Sequence, residues 1–182
     1  MDHGPLTKIP ETKASDICAR CALPPSATRL LKDDMTPSEF IDALLANKQY
    51  VAGIDFMAHA MPARESVWWS CLAIQHTFGD ALAGPEKDAC RAAVQWVLKP
   101  TVENRIMART PSETAGPGTA AGAAALAASI GNTPGPLTSA RAVANSVKLS
   151  SIKSDPVKIA DTQRIFIGLA IRIAEGHYMS GR

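Results

Sequence analysis

Apolar residues in this chain recur at three- to four-residue intervals, and proline or glycine bounds most of the runs they form. That pattern favours α-helices, because a half-buried strand needs strict alternation and no segment sustains it. Composition points the same way. Alanine fills 31 of the 182 positions, while Phe, Trp and Tyr together make up 5%. Alanine is the best helix former, and strands favour aromatic and β-branched residues. The expected fold is all-α: a single-domain orthogonal bundle of about six to eight helices with a buried C-terminal helix. A β-sandwich or barrel, a collagen-like chain and a coiled-coil rod do not fit this composition.

Residues 1–13 hold prolines, a glycine and unphased charges, and read as a flexible tail. A single all-helical domain is expected over 14–178. Ile17, Cys18, Cys21 and Ala22 make a short helical face that Pro24 and Pro25 stop. The clearest start is Thr36-Pro37-Ser38-Glu39, a capping box with proline at the first helical position, followed by the stripe Phe40, Ile41, Leu44 and Leu45. Tyr50, Ile54, Met57 and Met61 mark the next helix. Val67, Cys71, Ile74 and Phe78 mark another, after Pro62. In the helix from about Pro85 to Lys99, the positions read as inward are Ala89, Ala93, Val94, Val97 and Leu98. Val102, Ile106 and Met107 suggest a short fifth helix.

Composition then shifts to a Gly/Ala/Pro-rich segment over 110–138. Its start, TPSETAGPG, reads as a turn-rich linker, and 131–136 as a breaker. The stretch 118–129 between them is almost all Ala and Gly, a helix suited to close packing against a neighbour. Ser139–Val147 is a further helix. The last begins at Asp155-Pro156, with Gly176 as its C-terminal cap. Ile165, Phe166, Ile167, Leu169, Ile171 and Ile173 surround most of it, which places it at the centre of the bundle.

Charge is nearly balanced, 19 Lys plus Arg against 17 Asp plus Glu, so no phosphate-binding surface stands out. No nucleic-acid partner is expected; a DNA-binding helix pair within 139–176 is weakened by the apolar last helix. The first residues contain no signal-peptide core, and the uncharged run 114–140 carries too few large apolar groups to insert in a membrane. The expected location is cytoplasmic, with four reduced cysteines and no disulfide framework.

Motifs for chemistry are sparse. Cys18-Ala19-Arg20-Cys21 supplies two of the four ligands zinc needs, and Cys71 and Cys90 lie inside apolar helix patterns. No metal and no cofactor is expected. Asp55 and His59, and His76 and Asp80, are spaced to touch on a helix face; surface hydrogen bonds explain that as well as ligation does. Residues 79–84 have the glycine spacing of a phosphate loop, but Pro85 and Glu86 stand where Lys and Ser/Thr are required. The strongest local feature is Arg64-Glu65-Ser66-Val67-Trp68-Trp69. Adjacent tryptophans on a helix point about 100° apart, so one can enter the core while the other lies between helices or at the surface. A surface Trp beside Arg suits an interface hot spot.

The run AHAMPARESVWWSCLAIQ resembles the signature of an uncharacterised bacterial all-helical family often encoded near type VI secretion genes. Pro62, Arg64, Glu65, Val67, Trp68, Trp69 and Cys71 match its P-x-R-E-x-V-W-W-x-C pattern, with Met61 and Ser66 in place of Leu and Ala. DICARCALPPSATRLL and TPSEFIDALL are similar to its N-terminal portion, and FIGLAIRIAEG to its closing segment. The likeness covers most of 14–176 and is strongest at 36–76. It departs at AALAASIGNTPGP, where the family carries a Phe-Trp step and a glycine pair. The resemblance brings no reaction and no catalytic residues. It implies a non-enzymatic cytoplasmic adaptor of type VI secretion that binds another protein, with Arg64, Glu65, Trp68 and Trp69 near the contact. The alternative is an enzyme or small-ligand-binding protein with its site around the same Trp pair, Asp55, His59 and His76.

Overall fold

A computed structural model describes residues 3–135, 138–153 and 155–177. The ends of the expected tail and domain, and the last position of the 131–136 breaker, lie outside the described residues. In chain order the helices are α1 (Ala14–Cys18), α2 (Pro25–Thr28), α3 (Pro37–Ala46), α4 (Tyr50–Ala60), α5 (Ala63–Phe78), α6 (Gly84–Leu98), α7 (Val102–Met107), α8 (Arg109–Ala115), α9 (Ala120–Ile130), α10 (Ser139–Ile152) and α11 (Ile159–Ala174). Short 3-10 turns cover Gly79–Ala81 and Pro156–Lys158. Among the described residues there is no strand, and the fold is all-α as expected. The helices of ten residues or more are α3, α4, α5, α6, α9, α10 and α11, within the expected number. The chain divides into two compact units, one formed by both ends of the sequence and one by the contiguous stretch Ala63–Ile159.

The first unit holds α1–α4 and α11. Thr36 Oγ1 accepts the Glu39 N–H at 3.3 Å, and Glu39 Oε2 accepts the Thr36 N–H at 2.8 Å, which completes the capping box of α3. The Thr36 backbone N–H and hydroxyl hold the Glu39 carboxyl below the usual carboxylate range. The box is therefore intact at neutral pH and loosens only as pH falls through that depressed value. Phe40 and Phe56 meet edge to face, centroids 5.0 Å apart. Gly53 admits α11 closely: a Cβ there would stand 2.9 Å from Ile167 Cδ1 and 3.4 Å from Ile41 Cδ1.

Phe166, Ile167, Ile171 and Ile173 of α11 are buried, whereas Ile165 is 43% exposed and Leu169 half-buried. With Asp161, Arg164 and Arg172 also exposed, this helix buries one face and is not surrounded by neighbours as the sequence suggests. Its end is a Schellman motif. The Gly176 N–H donates to Ile173 O at 2.9 Å and the His177 N–H to Arg172 O at 3.1 Å, with Gly176 at φ 97°.

The segment expected as a loose tail lies against that same end. The Lys8 N–H donates to Ala174 O at 2.8 Å, and the Gly4 N–H to Glu175 Oε1 at 2.6 Å. The last carbonyls of a helix lack partners within it, so extended backbone can dock there with no hydrophobic period to announce it. Gly168 of α11 has nothing within 4 Å of where a Cβ would stand. Gly168→Ala should accordingly raise stability by about 0.5–1 kcal/mol, read from urea denaturation.

The second unit is built around α9, which packs against α5, α6, α7, α8 and α10. Ala120, Ala121, Gly122, Ala123, Ala124, Ala125, Ala127 and Ala128 are all buried. Alanine makes the helix without side-chain entropy cost, and small side chains let neighbours approach on several sides. Ser146 Oγ donates to Ala120 O at 2.7 Å and Ser139 Oγ to Ala127 O at 3.0 Å, so α10 runs antiparallel to α9 with its buried hydroxyls satisfied. The element buried nearly all round is thus α9, where the sequence pointed to the last helix. Two further readings are corrected. Residues 109–115 are helical, because Pro111 falls in the first turn, where its missing N–H has no intrahelical acceptor to lose. Leu98 is 70% exposed, and the inward position at that end of α6 belongs to Trp96.

Candidate functional site

The Arg64–Trp69 run opens the second unit. Arg64 Nε donates to Val97 O at 2.8 Å, one of the last carbonyls of α6, where a cation suits both the unpaired oxygen and the helix dipole. Glu65 sits in the first turn of α5, where an anion suits the opposite pole. Trp69 is wholly buried. Trp68 is half-buried, and its ring Nε1 is buried with no hydrogen-bond partner among the described residues. The tryptophans therefore divide: Trp69 serves the core, and Trp68 lies toward the edge. Arg64 acts as a tether between helices.

The thiols are poor nucleophiles. Burial pushes Cys18 up to about 11 and Cys21 up to about 12, and drives Cys71 and Cys90 upward as well. Cys21 Sγ lies 3.3 Å from Ile17 O, within reach as a weak donor. Among the described residues no group of three or more His, Cys, Asp or Glu is placed to hold a metal ion. His59 Nδ1 lies 2.8 Å from the backbone oxygen of Asp55, so its hydrogen bond on that face is to the main chain. His76 and Asp80 are exposed in the second unit.

One concave surface of the second unit lies along α7 and α8. A cavity of about 490 Å³ is lined by Arg105, Ile106 and Arg109 on one wall and by Leu126, Ile130 and Thr133 on the other. A second, of about 330 Å³, adjoins it and includes Trp96 and Val102. Arg105, Thr133 and Pro134 line both cavities, which makes one groove. Arg105 also hydrogen-bonds the Thr133 hydroxyl. Neither Trp68 nor Trp69 lines this groove.

No residue of α7 is buried. Val102 is 57%, Ile106 64% and Met107 63% exposed, and Leu98 stands just before them. The sequence showed these as apolar residues of a short helix, but periodicity does not say whether a stripe faces a core or a partner. The signal that could have separated the two is length. Six residues make fewer than two turns, too few to sustain a stripe into a core.

A family model described as a family of unknown function (DUF6931) matches residues 40–174. The chain belongs to that family. The DUF6931 match takes in the Arg64–Trp69 run and every residue named above for the groove, and leaves out α1 and α2. This agrees with the resemblance to an uncharacterised helical domain. No curated protein and no solved structure matches the chain.

Proposed function

We propose that this protein is a non-enzymatic accessory or adaptor that binds another protein, acting in the cytoplasm in bacterial type VI secretion. The observation that carries the binding reading is the exposure of Val102, Ile106 and Met107 beside a groove, on a helix with no buried residue, with exposed Leu98 at the end of α6 just before them. Val102 and Ile106 lie one helical turn apart, and large apolar side chains exposed together mark an interaction surface more often than scattered ones do. Arg64 connects to that end of α6 through its bond to Val97, one residue before Leu98, and this supports a contact that extends to the start of α5, with Glu65 and Trp68. Trp69 contributes through the core alone. The link to secretion rests on the resemblance of the P-x-R-E-x-V-W-W-x-C run. No helix among the described residues is long and apolar enough to cross a membrane.

The test is affinity capture with the full chain in a bacterium that carries a type VI system. A secretion component should be retained by the wild type and lost with Val102→Asp plus Ile106→Asp. Both positions are more than half exposed, so the pair should shift stability by less than about 1 kcal/mol. Equal retention by wild type and variant would overturn the placement of the face; recovery of no secretion component would overturn the adaptor role.

A further inference from the structure

We propose that the groove along α7 and α8 takes an acidic amphipathic peptide segment, whose apolar side chains lie on Ile106, Leu126 and Ile130 while a carboxylate pairs with Arg105 where the two cavities meet. This rests on the protein-binding reading above and adds the chemistry of the partner.

Arg105 occupies the junction of the groove and is held toward its far wall by the bond to Thr133. A guanidinium carries five N–H donors in a planar fork, so one bond to a hydroxyl leaves a geometry matched to a carboxylate. The helices α7 and α8 balance as a whole, Arg105 and Arg109 against Glu103 and Glu113, but Glu103 lines neither cavity, so the lining of the groove favours an anion. Glu113 is engaged by Arg109 Nε at 3.0 Å, in an exposed pair weak enough for a docking acid to compete with. Glu103 lies in the first turn of α7, and its own backbone N–H and Thr101 keep it ionised at the helix N-terminus. Arg105 and Arg109 stand against Glu113 alone in the lining of the larger cavity.

The same arrangement selects against other occupants. A purely apolar segment laid over Ile106 and Val102 would cover Arg105 without supplying a charge, and the cost of desolvating the guanidinium would offset part of the apolar contact. A basic segment would meet two arginines. Only a segment with both an apolar face and a carboxylate satisfies wall and floor together.

The experiment pans the full chain against a random peptide display library, then measures synthetic copies of the enriched peptides by titration. The expected enrichment is Asp or Glu three or four positions from Leu, Ile, Phe or Met. Arg105→Glu should weaken binding by at least about tenfold, and a peptide with its acid changed to Lys should recover affinity for that variant. Thermal melts check that the variant folds; Arg105→Gln, which removes the charge and keeps a polar side chain, replaces it if it does not. Enriched peptides without an acid would overturn the charge pairing while leaving the protein-binding reading in place. So would binding lost with Ile106→Asp but unchanged with Arg105→Glu. No enrichment, or binding indifferent to both substitutions, would overturn this inference together with the face it rests on.

Discussion

Trp69→Ala should lower the free energy of unfolding by about 3–5 kcal/mol, the cost of emptying a fully buried aromatic site. A domain of this size is stable by only about 5–15 kcal/mol, so the variant should sit close to the edge of folding. Trp68→Phe gives the contrast. It keeps a large ring in a half-buried position and removes an N–H that has no acceptor, so stability should stay within about 1 kcal/mol of the wild type. Urea denaturation followed by far-UV circular dichroism reads both. Equal effects at the two positions would mean that the division between core and edge has been drawn in the wrong place.

The second large effect is expected at Gly122, near the start of α9. A Cβ at that position would stand 2.0 Å from the carbonyl oxygen of Gly116 and 2.7 Å from its carbon. These are backbone atoms in a turn that Thr119 ties to α9: the Thr119 N–H donates to Gly116 O at 3.1 Å, and its hydroxyl caps the Gly122 N–H at 3.0 Å. No side chain can swing aside. Gly122→Ala gains about 1 kcal/mol of helix propensity, but the clash should cost about 3 kcal/mol or more, and the clash wins. Gly118, four residues earlier, has nothing within 4 Å of its missing Cβ, and Gly118→Ala should change stability by less than about 0.5 kcal/mol. A tolerated Gly122→Ala would show that the turn before α9 can move away, and the close packing around that helix would need another explanation.

These two sites show what the sequence discloses and what it hides. Helix starts are legible because they are local. The Thr36–Glu39 box, Pro62 ahead of α5 and the Gly176 cap each follow from a few adjacent residues whose chemistry has one sensible use. Rank within the core is not local. Runs such as Ile165–Ile173 announce burial by their hydrophobicity, so α11 drew attention, while α9 holds the middle of its unit because alanine lets several helices approach at once. Small volume is a property of the neighbours' packing as much as of the residue. The groove was hidden for a related reason. Val102, Ile106 and Met107 carry the same apolar pattern as an inward stripe, and only their exposure in the structure distinguishes them. The Arg64–Trp69 run was visible as unusual, but its arginine is consumed by a carbonyl 33 positions away, a contact that no local spacing encodes.

The bond from Lys8 to Ala174 and that from Gly4 to Glu175 join the two ends of the chain across a separation of up to 171 positions. A ribosome therefore releases every residue of the second unit before it completes α11. The contiguous unit can settle while synthesis continues, whereas the surface of α3 and α4 at Ile41 and Gly53 must wait uncovered until Ile167 of the last helix arrives. For that interval the nascent protein presents apolar surface that the finished protein does not, and its exposure to chaperones and proteases is set by the time needed to translate residues 63–174.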